Sequence, residues 1–484
     1  MASLTAEQVR LIANQVVNNM RIDTSNTQNT PAVIPEDPSR PNVAAGVFSS
    51  INSAVKAARK AQVQLMELSL AQREKIILNI RSWMTDNAEI LARKAYEETG
   101  LGRFQDKIIK NKLVTEKTPG TEVLKPEAVS GDRGLTLMER APYGVIGSIT
   151  PCTNPTSTII CNTIGMLAAG NSVVFNVHPT AKNVSIYNIE LLNNAIIQAG
   201  GPENLVTTVV NPSIQSAQEL MTHPGINLLV VTGGAAVVKA AMTSGKRAIC
   251  AGPGNPPVVV DETADIEKAA KSIVNGASMD NNIICVLEKE IFVVESVADQ
   301  LLSAFLRHNA VVLKTYEIEQ LEKVIFDEMR GSRKPGKINK AYIGKPIQEI
   351  LQKIGKHVDD SVKLAIAPVE IGHPLVWTEQ MLPVMPLVRM ANVNQAIDAA
   401  RDAEHGFRHT AMMHSKNLDN LSRMARVMNC SIFVKNGSSV AGLGYGGEGY
   451  CSFTIASPTG EGLTHPISFT RERRCVLVDH FRII

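Results

Sequence analysis

Short apolar runs alternate with helical patterns between Tyr143 and Ser244, and this rhythm constrains the fold more than any other feature of the chain. The predicted strands span residues 143–149, 172–177, 205–210 and 227–231, and the predicted helices span residues 159–169, 183–198, 213–221 and 235–244. Strands and helices that alternate in this way form a parallel sheet covered by helices on both faces. Loops at the carboxyl ends of such strands bind ligands. The sequence therefore predicts an α/β fold with a Rossmann-type cofactor domain.

Size and charge narrow the class of protein. The 484 residues, of which 44% are apolar, are enough for roughly three domains with sizeable cores. The 49 basic and 46 acidic residues give a net charge of +3, which is too balanced to attract nucleic acid or an anionic membrane. We therefore expect small-molecule partners, with neither a nucleic acid nor a membrane among them.

Cysteine is a candidate nucleophile at one position only. The seven cysteines are scattered, with no Cys-x-x-Cys pair and no histidine spacing suited to zinc, so we expect reduced thiols and no metal site. Most of them read as small apolar packing residues. Cys285 differs because it ends the polar stretch from Ser278, which contains Asp280-Asn-Asn282, and because the segment from Ala251 to Pro257 precedes it. This pairing indicates thioester chemistry without a built-in hydrolytic base.

The N-terminus is separable from the rest of the chain. Residues 1–20 carry one narrow apolar stripe at helical spacing, and residues 21–44 form a Pro-, Asn-, Thr- and Ser-rich tract that is typical of a flexible linker. Glu7 and Arg10 interrupt any continuous apolar core of a secretory signal. A helix packed against the rest of the protein is one interpretation of residues 1–20, but the long polar linker that follows favours a docking peptide.

Three glycine-rich segments resemble nucleotide-binding motifs, and one of them has the expected context. Residues 442–447 match G-x-G-x-x-G without a following helix, and residues 331–337 lack the Ser or Thr that a phosphate loop requires, so we reject both. Thr232, Gly233 and Gly234 end a predicted strand and open a predicted helix, where backbone amides can approach a pyrophosphate. An ordinary strand-to-helix turn remains the alternative.

Six ordered blocks carry a family resemblance from about Ala45 to the C-terminus. The blocks span residues 150–155, 177–181, 232–234, 251–257, 281–285 and 379–384. Their order resembles the aldehyde dehydrogenase superfamily, and most of all its coenzyme A-acylating branch, the propionaldehyde and acetaldehyde dehydrogenases of bacterial microcompartments. The resemblance implies a cofactor domain that binds NAD and coenzyme A at 45–252, interrupted by 122–141, and an α/β catalytic domain at 253–441. It also implies a β oligomerisation arm formed by 122–141 and 463–484.

The same resemblance assigns roles to individual residues. Cys285 would attack the aldehyde and become the acyl thioester, and Asn154 would donate to the oxyanion together with the backbone amide of Cys285. Thr153 stays an alternative to Asn154, because an ungapped alignment of the flanking prolines places Thr153 at the family's usual asparagine. Glu379 would hold the nicotinamide ribose. The remaining cofactor-binding residues would be His178, Pro179, Thr232, Gly233 and Gly234.

Ala251 decides which product we expect. Hydrolytic members of the family carry a glutamate there that activates water, and a positioned base contributes roughly 100- to 10,000-fold to a rate. Without it, the coenzyme A thiol is the better attacker, so acyl-CoA is the expected product. A hydrolytic enzyme that releases the free acid is the first alternative, and a catalytically silent scaffold is the second. His409 could assist the incoming thiol or could simply be a buried histidine bonded to the backbone.

The resemblance also implies partners and a location. The substrate would be a short aliphatic aldehyde, although Met279 and Ile284 depart from the family pattern beside the nucleophile and leave the pocket width open. NAD is expected, yet Ala181 replaces a carboxylate that would repel the 2′-phosphate of NADP. The N-terminal helix would bind a microcompartment shell protein, so the enzyme would lie in the microcompartment lumen within the cytoplasm as a homodimer or homotetramer.

Overall fold

The computed structural model describes residues 45–484. The predicted docking helix at 1–20 and the predicted linker at 21–44 lie outside the described residues. Among residues 45–484, no helix combines the length and the apolar composition that crossing a bilayer requires.

Helices and strands alternate along most of the described chain. The helices are α1 (Ile51–Glu67), α2 (Leu70–Asp86), α3 (Ala88–Thr99), α4 (Phe104–Lys117), α5 (Pro155–Ala168), α6 (Lys182–Gln198), α7 (Ile214–Thr222), α8 (Ala235–Met242), α9 (Ile266–Ala277), α10 (Glu295–Arg307), α11 (Thr315–Ile325), α12 (Ile347–Gln352), α13 (Val393–Ala403) and α14 (Leu418–Met428). The strands are β1 (Val47–Phe48), β2 (Glu127–Gly131), β3 (Gly134–Pro142), β4 (Val145–Ile149), β5 (Ser172–Asn176), β6 (Val206–Val209), β7 (Leu228–Thr232), β8 (Ala248–Ala251), β9 (Pro257–Val260), β10 (Glu290–Val294), β11 (Ala310–Val312), β12 (Phe326–Glu328), β13 (Lys337–Ile338), β14 (Leu364–Pro368), β15 (Val384–Met390), β16 (Thr410–His414), β17 (Ile432–Lys435), β18 (Ile455–Ala456), β19 (Gly462–Leu463) and β20 (Thr470–Val478).

The first sheet has six strands in the order β1-β6-β5-β4-β7-β8, and every pair in it is parallel. The predicted α/β fold is therefore confirmed. The chain winds outwards from β4 through β5 and β6 and then crosses to β7, so the winding direction reverses between β4 and β7. Ligands of doubly wound sheets bind at such a reversal, outside the carboxyl ends of the strands.

One helix begins earlier than predicted. Helix α5 starts at Pro155 rather than near Ile159, and every residue from Pro155 to Ala168 is buried. Proline fits the first position of a helix because its missing N–H would be unpaired there anyway. The polar run Thr156-Ser-Thr158, which the sequence placed in a loop, is therefore the buried first turn of a helix whose N-terminus faces the reversal point.

The second sheet has seven parallel strands in the order β11-β14-β15-β10-β9-β16-β17. Strands β9 and β10 at its centre are buried along their whole length, as strands covered on both faces are. The predicted domain limit between residues 252 and 253 lies in the segment that joins the two sheets. The chain then returns from the second sheet to the first, where the Thr459 hydroxyl accepts a bond from the Cys250 backbone N–H at 3.0 Å.

A third sheet is antiparallel and has the order β2-β3-β20. Strands β2 and β3 form the hairpin expected near residues 122–141, with a turn at Asp132 and Arg133. Thr470 to Val478 pair residue by residue with Pro142 to Gly134 of the same chain, so one edge of β20 is satisfied within the chain. The other edge of β20 has no strand partner among residues 45–484. The family resemblance implies that the C-terminal strand joins the sheet of a neighbouring subunit, and this stays a prediction.

Candidate active site

A left-handed turn presents Cys285. Asp280, Asn281 and Asn282 follow α9 with φ angles of 47°, 52° and 68°, in the left-handed region that costs most residues about 1–2 kcal/mol each. Aspartate and asparagine tolerate this region better because their short polar side chains bond to the nearby backbone. Here the Asn281 amide donates to the carbonyls of Gly102 at 3.1 Å and Gly344 at 2.8 Å. The run predicted as an Asn-rich turn is therefore a strained turn tied to other segments.

Cys285 lies at the end of this turn, with part of its surface exposed and the rest packed against protein. Burial, reinforced by the negative charge of Glu379, raises the pKa of the Cys285 thiol to about 12, while the Lys289 ammonium acts in the opposite direction. With that pKa, roughly one thiol in ten thousand is ionised at pH 8. The chain alone thus holds the nucleophile as a thiol.

The Lys289 ammonium is the cation that lowers the pKa of this thiol. The Lys289 side chain is fully buried just before β10, and its ammonium donates to the Asn282 carbonyl at 2.7 Å and to the Asn282 side chain. Burial lowers the pKa of Lys289 to about 8, against the pull of Glu379 and Cys285. A cation bonded to the turn before the nucleophile favours the thiolate form.

Gly254 brings three parts of the site together. Its N–H donates to the Glu379 carboxylate at 3.3 Å. A Cβ atom at Gly254 would lie 2.9 Å from the Cys285 carbonyl oxygen and 3.0 Å from Cγ of His409, so the glycine permits this close approach. His409 is fully buried, and burial lowers its pKa to about 4, so the ring is neutral. Its Nε2 atom has no hydrogen-bond partner among the described residues.

Asn154 is the residue before α5, and its side chain is held in one orientation. The Lys110 ammonium donates to Oδ1 of Asn154 at 2.7 Å, and Nδ2 of Asn154 donates to the Thr153 hydroxyl at 3.1 Å. Asn154 is 6% exposed. Lys110 also contacts the Asp280 carboxylate, so it connects Asn154 to the turn that leads to Cys285. Both candidates left open by the sequence offer a donor, an amide N–H on Asn154 and a hydroxyl on Thr153, and the two side chains are bonded to each other.

The predicted cofactor residues lie on both sides of β4, at the carboxyl edge of the first sheet. His178 and Pro179 follow β5, and Gly233 and Gly234 follow Thr232 at the end of β7. The Asn154 loop follows β4 and therefore lies between the two groups. Glu379 is apart from them, in the loop before β15 beside Gly254.

Residues at the end of β7 fit a dinucleotide phosphate. Helix α8 starts after Gly234 with no side chain capping its first turn, and residues Gly234 and Ala235 are exposed. A Cβ atom at Gly234 would meet nothing within 4 Å, so space is open above the free N–H groups. Such an open helix N-terminus after a glycine turn binds a pyrophosphate. At the end of β5, His178 uses Nδ1 to accept a bond from the Thr180 N–H at 3.3 Å, which shapes the second loop.

Two alanines, Ala251 and Ala181, stand at positions where the family pattern described above can carry a carboxylate. Ala251 ends β8 beside Thr232 and is 2% exposed, and Ala181 is fully buried. Neither position offers a carboxylate. Met279 and Ile284, which depart from the family pattern, are 7% and 1% exposed and pack in the core that Cys285 borders.

Sequence reasoning missed the buried lysines of the site. Lys107 and Lys110 on α4 and Lys289 just before β10 are almost fully buried, and none was considered. A signal existed for the first two, because residues 107 and 110 continue the helical stripe of Leu113 and Val114. A lysine on an apolar stripe indicates a buried, paired charge.

Comparison with protein families gives a match. Residues 39–320 match the aldehyde dehydrogenase family. The acetylating acetaldehyde dehydrogenase of Salmonella typhimurium is 51% identical over 440 residues, which are 91% of this chain and 94% of that protein. The CoA-propanoylating propanal dehydrogenase of the same organism is 44% identical over 455 residues, covering 94% of this chain and 96% of that protein.

Solved structures give the same result. The propionaldehyde dehydrogenase of Rhodopseudomonas palustris, solved with bound propionyl-CoA, has a TM-score of 0.87 and 50% identity over 90% of this chain and 95% of that one. A propionaldehyde dehydrogenase from the fucose utilisation microcompartment of Clostridium phytofermentans has a TM-score of 0.88 and 46% identity over 91% of this chain and 100% of that one. An engineered glycolyl-CoA reductase with bound NADP+ has a TM-score of 0.88 and 49% identity. The match covers 91% of this chain and 99% of that one. A chain this similar over nine-tenths of its length is a member of the aldehyde dehydrogenase family.

Proposed function

We propose that the protein oxidises a short aliphatic aldehyde to the acyl-CoA through a thioester on Cys285, with NAD and coenzyme A. The observation that carries this proposal is the buried methyl group of Ala251, 2% exposed, where a water-activating carboxylate would be needed for hydrolysis. Two relatives support it: an acetylating acetaldehyde dehydrogenase at 51% identity and a CoA-propanoylating propanal dehydrogenase at 44% identity. So does bound propionyl-CoA in a neighbour at 50% identity.

In the first half-reaction, the Cys285 thiol loses its proton to solvent, and the resulting thiolate forms a bond to the aldehyde carbon while the carbonyl oxygen gains the electron pair. Asn154 Nδ2 and the Cys285 backbone N–H are the donors for that oxygen, and one such donor contributes typically about 3 kcal/mol. When the carbonyl re-forms, the carbon loses a hydride and becomes a thioester. A dinucleotide held by Thr232, Gly233, Gly234, His178, Pro179 and Glu379 would supply the hydride acceptor.

In the second half-reaction, the coenzyme A thiolate attacks the thioester carbon and the bond to the Cys285 sulfur breaks. Cys285 regains its thiolate, and the acyl group leaves on coenzyme A. His409 has an unpaired Nε2 atom among the described residues, but its pKa of about 4 makes the ring a weak acceptor for the thiol proton, so the proton of coenzyme A passes to solvent. Ala251 offers no carboxylate that could activate water against the thioester.

The test measures NADH formation from propionaldehyde and NAD in wild type and Cys285→Ala, with and without coenzyme A. We expect sustained turnover only with coenzyme A, one equivalent of NADH per Cys285 without it, and neither in the variant. Equal turnover without coenzyme A would establish the hydrolytic alternative. No NADH from a panel of aldehydes would support the scaffold alternative.

We propose acetaldehyde or propionaldehyde as the substrate. Met279 and Ile284 flank the nucleophile turn with buried, bulky side chains, which limits the room for a long acyl chain. A kcat/KM series from two to six carbons should peak at two or three carbons. In Ile284→Ala, the peak should move to longer chains.

We also propose that residues 1–20 bind a microcompartment shell protein and place the enzyme in the lumen. The apolar stripe of this segment supports this, as does the microcompartment source of a structural neighbour. Replacing Ile12 and Val16 with glutamate should abolish co-sedimentation with shells. The matched change Gln8→Glu, off the apolar stripe, should not.

We propose that the sheet β2-β3-β20 mediates a homodimer or homotetramer. Val129, Val476 and Val478 on it are 62%, 56% and 60% exposed, more apolar surface than an unpaired sheet normally shows. Light scattering of Val476→Lys with Val478→Lys should give a smaller mass than wild type. An unchanged mass would contradict an assembly through this sheet.

A further inference from the structure

Two buried lysines on one helix share a carboxylate partner but differ in two further contacts. Lys107 and Lys110 lie one turn apart on α4, each has a side chain that is 2% exposed, and both ammonium groups contact the same oxygen of Asp280. Lys107 reaches this carboxylate at 3.2 Å. Lys110 alone continues beyond it, to Oδ1 of Asn154 at 2.7 Å and to the Thr153 carbonyl at 3.3 Å.

Asp280 holds both cations in place. Its carboxylate is fully buried and also accepts a bond from the Arg103 N–H at 2.6 Å. Burial alone would raise the pKa of Asp280, but the Lys107 and Lys110 ammonium groups hold it below its ordinary value. Burial lowers the pKa of Lys110 to about 8, against the pull of Asp280, so Lys110 is predominantly an ammonium group below that pH.

Lysine dictates which way the asparagine amide points. An amide has an accepting oxygen on one side and a donating NH2 group on the other, and an ammonium group can only donate. Lys110 therefore fixes the Asn154 oxygen towards itself and the NH2 group away from itself. Without Lys110, the amide could rotate by half a turn and present its oxygen where a donor is needed.

We infer that Lys110 is a positioning residue that locks the Asn154 amide with its N–H groups facing the reacting carbonyl, while Lys107 only neutralises Asp280. This inference rests on the proposed function, since it assigns Asn154 to the oxyanion. Lys110 acts through Asn154 and touches no reacting atom. The pair Lys107 and Lys110 provides a matched control, because both changes remove a buried cation from the same carboxylate.

The experiment compares Lys110→Met, Lys107→Met, Asn154→Ala and the two double variants made with Asn154→Ala. The acylation rate is read as the NADH burst from propionaldehyde and NAD without coenzyme A. Loss of one oxyanion donor costs about 10²- to 10³-fold. We expect Asn154→Ala to slow the burst by about 100-fold and Lys110→Met by about 10- to 100-fold, through kcat rather than KM, because the oxyanion exists only in the transition state.

Coupling separates positioning from a general structural role. In the Asn154→Ala background, Lys110→Met should cost less than about threefold more, because the group it positions is gone. Lys107→Met should lower the melting temperature as much as Lys110→Met does, yet slow the burst by less than about threefold and show no coupling. Multiplicative effects of Lys110→Met and Asn154→Ala, or equal burst losses in the two lysine variants, would overturn the inference.

Alkylation of Cys285 by iodoacetamide provides a second readout, because that reaction generates no oxyanion. Lys110→Met should alkylate at the wild-type rate, whereas a displaced Cys285 turn would slow alkylation and burst together and refute the inference. If Lys110→Met does not fold, Lys110→Leu replaces it with the same expectations, because leucine also lacks a donor for the Asn154 oxygen. A wild type without any burst would instead refute the proposed function, and an ineffective Asn154→Ala would refute the role of Asn154.

Discussion

The two halves of the site differ in chemistry: one presents exposed backbone N–H groups, and the other consists of buried charged side chains. At the carboxyl edge of the first sheet, exposed Gly234 and Ala235 offer backbone N–H groups and open space. Around Cys285, by contrast, Lys110, Asp280 and Lys289 are charged, almost fully buried and bonded to one another or to the backbone. An open backbone surface can admit and release ligands with little rearrangement. The buried charged residues around Cys285 hold the reacting groups in place, but the stability of this region depends on each charge having a partner.

The largest test of this contrast removes one charge from the buried half. In Asp280→Ala, two buried ammonium groups lose their counter-charge, and we expect a loss of about 3–5 kcal/mol in the free energy of unfolding, measured with urea. As a control, Asp299→Ala breaks an ion pair between Arg389 and an aspartate that is 85% exposed. That change should cost less than about 1 kcal/mol. Similar losses in both variants would show that the buried cluster is not special.

A pair of glycine substitutions tests the two halves directly. In Gly254→Ala, the new methyl group would lie within 3.0 Å of the Cys285 carbonyl oxygen and of the His409 ring, so one of them must shift. We expect kcat to fall about 10- to 100-fold, since small displacements of reacting groups are costly. In Gly234→Ala, the methyl group enters open space, so KM for NAD should rise a few-fold while kcat stays near wild type. Equal kcat losses would contradict the contrast.

Removing the cation beside the nucleophile should slow its chemistry. Lys289 lowers the pKa of Cys285, so Lys289→Met should raise that pKa and reduce the thiolate fraction at any given pH. We expect roughly tenfold slower alkylation of Cys285 by iodoacetamide at pH 8. The exposed Lys112→Met is the control and should alkylate at the wild-type rate. An unchanged rate in Lys289→Met would mean that the turn, not the charge, sets the reactivity.

Removing the Glu379 carboxylate should accelerate alkylation of Cys285, and this is the smallest of the expected effects. Glu379 raises the pKa of Cys285, so Glu379→Gln should lower it and accelerate alkylation about two- to fivefold at pH 8. Burial raises the pKa of Glu379 as well. A rate for Glu379→Gln at or below the wild-type rate at pH 8 would contradict this electrostatic account.

The sequence predicted the open half better than the buried half. Strand and helix patterns, together with Gly233 and Gly234, are local signals, and they predicted the strand-to-helix turn between β7 and α8. The second sheet was expected only from the family resemblance. Contacts around Cys285 join segments far apart in the chain, such as Lys110 with Asp280, and no local pattern encodes such a pair. The pairing of β20 with β3 is another contact between segments far apart in the chain, and no local pattern encodes it either.

The left-handed turn before Cys285 also restricts how this pocket can diverge. Its side chains bond to four backbone carbonyls, those of Gly102, Ala277, Glu288 and Gly344. Inserting or deleting a single residue would break all of these bonds at once and move the sulfur. New aldehyde preferences should therefore arise by exchanging side chains at positions such as 279 and 284 within a segment of constant length. A designer who wants a different acyl-CoA should mutate that loop and never lengthen it.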